Sequence, residues 1–290
     1  MKYIFIINPV SGKRNYMAII KALNTYCMMN NIDNQILLTH KKNEAKKIAE
    51  SFKYCSDVVL FSVGGDGTLN EVVNGFNNSK AKLGIIPAGT GNDFYRTFKD
   101  FKGAKIDLGK VNDRYFVNVA SIGLDAEIAN YANELKNKNK NQKNVYISSI
   151  MHEFFSFKPI DLKIDGVANK STILTVCNAK YYGEGFKIAP NAILNDGMFD
   201  VIDVKSLNKL EIINLIMKLA RAQHLQSKHV NYYNTDSLSI NSLVSLNCNI
   251  DGEIIRDTNF HFTIEKEAIN VDVENSEKIY SFLRTKNITK

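Results

Sequence analysis

The octapeptide Gly64-Gly65-Asp66-Gly67-Thr68-Leu69-Asn70-Glu71 constrains this chain more than any other stretch. It follows the apolar run 58–63. Beyond the turn, the apolar positions Leu69, Val72, Val73 and Phe76 recur at helical spacing. The pattern predicts a strand entering a glycine turn and a helix leaving it. Glycines let the backbone pass through left-handed conformations and approach a ligand closely. The first turn of a helix presents N–H groups without intrahelical partners, and its dipole favours negative charge. Strand end, glycine turn and helix start together make a seat for phosphate. The carboxylate of Asp66 inside that seat would repel phosphate unless a metal ion or a water chain mediates.

The surrounding pattern repeats this alternation. Residues 3–7, 35–38, 57–63 and 83–86 read as strands, and 15–30, 43–52 and 68–76 as helices. Such spacing predicts a parallel sheet with helices on both faces, and ligands in such sheets bind beyond the carboxyl ends of the strands. From about residue 104 the texture changes to short β-rich segments at 106–109, 115–119, 161–166, 171–176, 197–204, 243–247, 260–264 and 268–273. These predict a sandwich or barrel-like second domain. Helical spacing reappears at 145–155 and 207–221, with a final short helix at 280–283. The expected division is an α/β domain over 1–115 and a β-sandwich over 116–276. Residues 277–290 are expected to form a C-terminal helix that returns to the first domain.

Composition narrows the function classes. The chain has 290 residues, 44% hydrophobic and 23% charged, and its 37 Lys and Arg against 30 Asp and Glu give a net charge of +7. A basic balance suits anionic partners without choosing among them. No nucleic-acid module is recognisable. No apolar run approaches the roughly 18 residues that cross a membrane. The apolar start at 3–7 is too short for a signal peptide and ends at Asn8-Pro9, so the expected location is cytoplasmic. Cys27, Cys55, Cys177 and Cys248 form no C-x-x-C pair, which predicts buried free thiols rather than zinc or disulfides. The five histidines show no metal-binding spacing. The Lys- and Asn-rich stretch 133–144 reads as a solvated loop or frayed helix start. Its sharper reading is a basic patch, through Lys136, Lys138, Lys140 and Lys143, that touches an anionic membrane beside the apolar segment 145–155.

Three more segments carry chemistry. Asn8-Pro9-Val10-Ser11-Gly12-Lys13 follows the first strand and offers small residues and a cation to phosphate, although it is not a Walker A loop. Ile86-Pro87-Ala88-Gly89-Thr90-Gly91-Asn92-Asp93-Phe94 follows another strand and supplies a hydroxyl, an amide and a second carboxylate. Asp93 reads equally as a helix N-cap. Asp251-Gly252-Glu253 reads as a tight turn, or as the source of a base if Glu253 faces the glycine turns across a cleft.

In order along the chain, these motifs resemble the bacterial diacylglycerol kinase family, soluble lipid kinases related to sphingosine and ceramide kinases. Tyr181-Tyr182-Gly183, Ala189-Pro190-Asn191-Ala192 and Asn195-Asp196-Gly197-Met198-Phe199-Asp200 extend the likeness over nearly the whole chain. Tyr95 stands where many relatives have a small residue, and is expected to alter the cleft wall. The resemblance implies an α/β nucleotide-binding first domain, a β-sandwich second domain and an active site in the cleft between domains, with ATP and magnesium as cofactors. It implies ATP contacts from Asn8, Lys13, Thr39, Gly64, Gly65, Asp66, Gly67, Thr68, Asn70, Glu71, Thr90 and Asn92. It further implies that Asp66 and Asp93 organise a catalytic magnesium through water and that Glu253 takes the proton of a lipid hydroxyl. A structural magnesium is implied at Asp196, with the backbone carbonyls of Ile193 and Met198.

The implied reaction converts diacylglycerol, or a related lipid alcohol, to phosphatidic acid at the inner face of the membrane through peripheral contact. An NAD kinase-like small-molecule kinase and a non-catalytic nucleotide- or lipid-binding module are the alternatives. The acceptor alcohol and the oligomeric state, with a homodimer among the choices, are open at the level of sequence.

Overall fold

The computed structural model describes residues 1–12, 15–137, 152–154 and 156–288. The first lobe opens with β1 (Lys2–Ile7), α1 (Tyr16–Met29), β2 (Asn34–Leu38), α2 (Glu44–Phe52), β3 (Val58–Gly64), α3 (Asp66–Phe76), β4 (Lys82–Pro87) and α4 (Asp93–Phe98). Its four strands form a parallel sheet in the order β2-β1-β3-β4. β3 is buried along its whole length, as expected of a strand covered on both faces. The loops after β1, β3 and β4 all leave from the same edge of this sheet, which brings three of the four motifs together.

The second lobe contains β5 (Lys105–Val111), β6 (Arg114–Phe116), β7 (Val119–Gly123), α5 (Leu124–Asn137), β8 (Ile160–Ile164) and β9 (Val167–Cys177). The short strands β10 (Tyr181–Tyr182) and β11 (Phe186–Lys187) pair with each other. β12 (Phe199–Lys205), α6 (Lys209–Ala220), β13 (Val230–Thr235), β14 (Ser237–Ile250) and β15 (Glu253–Asn270) complete it. Nine strands form one antiparallel sheet in the order β13-β12-β9-β7-β14-β15-β5-β6. β8 pairs with both β9 and β14, while β7 pairs with the same two strands further along, so the sheet closes on itself around an apolar core. Phe116, Phe199, Phe260 and Phe262 fill that core.

The final helix, α7 (Val273–Thr285), returns to the first lobe. Its Ile279 and Leu283 are fully buried with Tyr3, Phe5 and Ile19, and its Ser276 hydroxyl accepts the amide of Ile85 at 2.9 Å. The helix is longer than the four residues read at 280–283, because Asp272 caps it by accepting Asn275 N.

The strands within residues 105–116 belong to the second sheet, since β5 and β6 pair with each other and β5 with β15. Two sequence expectations change. The segment 115–119 is broken between β6 and β7 instead of forming one strand. Part of the stretch 133–144 is helical, since α5 runs to Asn137 with Ala132 and Leu135 buried; its period was hidden among β-rich neighbours. Residues 138–144, and the helix read at 145–155 apart from 152–154 and 156, lie outside the described residues. The four cysteines are free, and three are buried. Among the described residues, no helix is long and apolar enough to cross a membrane.

Candidate functional site

The cleft between the lobes has two connected parts that share Ser11, Gly65, Gly67, Asn133 and Gly252. The outer part, about 700 Å³, has Asn8, Thr68 and Glu71 on the first lobe and Glu253 on the second. The inner part, about 440 Å³, holds Asp66, Thr90, Asp93, Asp125 and Tyr182.

The first-lobe wall is built by backbone closeness. A Cβ at Gly89 would lie 2.3 Å from the Cα of Gly65, so only glycine lets the loops after β3 and β4 meet. Ser11 secures the third loop, its hydroxyl accepting the amide of Gly65 at 2.9 Å. Asn8 donates to the Thr68 hydroxyl at 3.2 Å. At Gly67 an added Cβ would meet nothing within 4 Å, so this side of the α3 N-terminus is open.

Asp66 receives the amides of Asp93 (3.0 Å) and Phe94 (3.1 Å), which start α4. Of the two readings of Asp93, capping therefore falls to Asp66. The Asp93 carboxylate instead accepts Glu184 N at 2.9 Å, while its Oδ1 is buried without a hydrogen bond, 3.6 Å from Arg96 Nε. Burial first, and then the Asp66 charge, push its pKa up, partly offset by backbone N–H groups and Arg96. A Cβ at Gly91 would lie 3.2 Å from Asp66 Oδ2 and 3.8 Å from Asp93 Oδ2, so both carboxylates face the same space. Two carboxylates beside one space suit a hard cation or its waters.

The second-lobe wall comes from the β14–β15 hairpin. Asp251 (φ 49°) and Gly252 (φ 96°) both have positive φ, as a two-residue hairpin turn requires. Asp251 points inward: it accepts the amides of Val117, Asn118 and Val119 and the side-chain amide of Asn70. Those amides account for the break between β6 and β7. Glu253 points into the cleft, where Lys42 Nζ lies 2.6 Å from Oε1 and Arg114 Nη1 3.2 Å from Oε2. Asp125 lies at the inner end, bonded to Ser121 (2.5 Å) and Tyr182 (3.2 Å); burial raises its pKa.

This arrangement has counterparts among known proteins. Residues 2–116 match the model of the diacylglycerol kinase catalytic domain, and residues 118–273 match that of the YegS C-terminal NAD kinase beta sandwich-like domain. A diacylglycerol kinase of Staphylococcus aureus (strain bovine RF122 / ET3-1) is 32% identical over 267 residues, covering 86% of this chain and 84% of the relative. One from Staphylococcus epidermidis (strain ATCC 12228 / FDA PCI 1200) is 31% identical over the same shares. The chain belongs to the diacylglycerol kinase family. The crystal structure of a candidate diacylglycerol kinase from Bacillus anthracis str. Sterne shares the fold, with a TM-score of 0.72 and 23% identity over 93% of this chain and 96% of that one.

As a member of the diacylglycerol kinase family, the chain is a kinase that works with a nucleotide phosphoryl donor. Of the residues that the family pattern assigns to the nucleotide, Asn8, Gly65, Asp66, Gly67, Thr68, Glu71 and Thr90 line the cleft. Four others are not among its lining residues. Thr39 is buried at the end of β2. Gly64 packs on Thr68, where an added Cβ would lie 2.5 Å from its hydroxyl. Asn70 bridges the lobes through Tyr115 O and Asp251. Asn92 folds its own loop, donating to Gly89 O and accepting Gly89 N. Lys13 lies outside the described residues.

Tyr95 does not reach the cleft either. It is buried against Tyr280 and donates its hydroxyl to Glu277, so the departure from the family pattern fastens α7 to the first lobe. Asp196, Ile193 and Met198 share a turn in the second lobe, where Asp196 accepts Met198 N at 3.0 Å and burial raises its pKa. Asp107 ties this turn by accepting Gly197 N and Glu267 N, each at 2.7 Å. Among the described residues, no three His, Cys, Asp or Glu side chains are grouped as a metal cage. Ser11, Lys42, Arg114, Asp125 and Asp251 were missed in the sequence. Ser11 and Asp251 sat within motifs, but Lys42, Arg114 and Asp125 carry no local pattern because distant segments bring them to the cleft.

Proposed function

We propose that the protein is an ATP- and magnesium-dependent lipid kinase that phosphorylates diacylglycerol to phosphatidic acid. The observation that carries this reading is the placement of Glu253 across one cleft from Gly65, Gly67 and Thr68. The glycine loops and the α3 N-terminus receive the triphosphate. Asp66 and Asp93 would hold the catalytic magnesium through water, and Asp196 with the carbonyls of Ile193 and Met198 a structural one. When bound, the catalytic ion supplies charge neutralisation for phosphoryl transfer. A primary alcohol is a weak nucleophile at neutral pH. Glu253 takes its proton as the alcohol oxygen bonds to the γ-phosphorus and the bond to the β,γ-bridging oxygen breaks, leaving ADP. Lys42 and Arg114 orient the Glu253 carboxylate.

The test uses labelled ATP, magnesium and diacylglycerol. Label is expected in organic-extractable phosphatidic acid. Label in NADP when NAD is offered, and none in lipid, would favour the NAD kinase-like alternative. Glu253→Gln preserves shape and removes the base, so turnover is expected to fall ~10²–10⁴-fold with nucleotide binding retained. Near-normal turnover in that variant refutes the assignment.

A further inference from the structure

Helix α6 is apolar on two sides. Ile212, Leu215 and Leu219 face inward and line a cavity of about 180 Å³ in the second lobe. Leu210, Ile213 and Met217, at the same i, i+3, i+7 spacing on the opposite side, are exposed: 78%, 45% and 52%. A helix that is half in contact with a protein core normally turns polar groups to water. Phe186, 45% exposed, stands beside the end of α6 and extends the apolar surface across a groove shared with Leu219 and Ala220. Contiguous exposed apolar surface of this kind marks an interaction site.

The charges around it limit the partner. Arg221 follows the helix, Lys218 lies in its last turn, and Lys187 flanks Phe186; Glu184 is the acidic side chain in the same groove. Glu211 closes the capping box with Asn208 and approaches His229. Apolar residues fringed by cations match the interfacial layer of an anionic bilayer, where apolar side chains enter the acyl boundary and Lys and Arg meet headgroup phosphates. The cavity beneath the helix adds a reason for this location. It is lined mainly by apolar side chains and reaches Asp125, which also lines the inner part of the cleft. The same helix therefore has the exposed apolar surface on one side and, on the other, an apolar cavity separated from the cleft by Asp125.

We propose, building on the lipid-kinase reading, that α6 is the surface by which the protein lies on an anionic phospholipid bilayer. Leu210, Ile213 and Met217 enter the membrane, and Lys187, Lys218 and Arg221 contact the headgroups. This differs from docking through the Lys-rich stretch 136–143.

The test is nucleotide-free co-sedimentation of the full chain with vesicles of phosphatidylcholine and phosphatidylglycerol in equal parts, or of phosphatidylcholine alone. Wild type is expected to bind the mixed vesicles. The triple variant Leu210→Ser, Ile213→Ser, Met217→Ser is expected to bind on the order of 100-fold less, about fivefold per side chain. Lys218→Glu with Arg221→Glu is expected to abolish the preference for anionic vesicles, and the wild-type preference should shrink as salt rises. Turnover of a short-chain diacylglycerol dispersed as monomers should remain at the wild-type level in both variants, which shows that they are folded. Failure of wild type to bind mixed vesicles overturns the assignment. So does undiminished binding by the triple variant, including the case where neutralising Lys136, Lys138, Lys140 and Lys143 removes binding instead. If no lipid is phosphorylated, the kinase reading fails, while circular dichroism of the variants replaces turnover as the folding check and the vesicle result still decides the docking surface.

Discussion

Two carboxylates in the β14–β15 turn occupy different surroundings. Glu253 is paired with Lys42 and Arg114 in the open cleft. Asp251 is buried among the amides of Val117, Asn118 and Val119 and the side chain of Asn70, and loss of hydration exceeds the help of those donors, so its pKa is raised from 3.8 to about 6. The folded state therefore binds more protons than the unfolded state between about pH 4 and pH 6. Stability from this group is present below its unfolded value and is lost as pH rises through about 6. Asp251→Asn removes that dependence and sets an amide donor against backbone donors, costing about 1–3 kcal/mol. Urea denaturation at several pH values should show the wild type's advantage over this variant shrinking from pH 4 to pH 6 and levelling above. A constant difference would contradict the buried titration. The sequence offered a tight turn or a base for Asp251-Gly252-Glu253. The turn lies at Asp251 and Gly252, and the Glu253 carboxylate faces the cleft, because the hairpin turns the two acidic side chains in different directions.

At the level of elements, the site is three strand-to-helix loops pressed together. Ser11 holds the loop after β1 to Gly65, Gly65 touches Gly89, and Asp66 starts α4. Gly89→Ala would bring a methyl group against the Gly65 backbone, which has no flexible end to move aside. Overpacking of this kind costs typically about 1–3 kcal/mol. The urea midpoint should fall by that amount, with nucleotide affinity falling further because the loops are forced apart; an unchanged affinity would mean that their contact does not shape the seat. The four strands and helices α1, α2 and α3 of this lobe were legible because their apolar period is regular. Helix α5 was not, since Ala126, Ala132 and Leu135 give a thin stripe beside a polar, Asn-rich run.

Across the whole molecule, the lobes share a core. Leu60, Val72 and Phe76 of the first pack in the same cluster as Ile106, Leu108 and Ile269 of the second. Helix α7 adds a second tie by leaving the end of β15 and burying Leu283 beneath α1. Leu283→Ala should cost about 2–5 kcal/mol, and the loss should appear as a single shifted urea transition rather than early unfolding of one lobe. Two separated transitions would show that the lobes fold independently. The Asn70 and Asn74 side chains, which meet Tyr115 across the lobes, place the same coupling directly behind the cleft.

Local order came from the sequence itself. Glycine turns after apolar strands fix where phosphate-binding backbone can occur, because only a few residue types permit those conformations, and the change of period near residue 104 announces a second, β-rich lobe. Which residues face one another came from tertiary structure alone. Lys42, Arg114 and Asp125 are ordinary in sequence and acquire a place only when two sheets close around one space. Asn70, Asn92 and Tyr95 stand inside or beside recognisable motifs yet serve packing and bridging. Side-chain direction depends on contacts between segments far apart in the chain, and no local period encodes those.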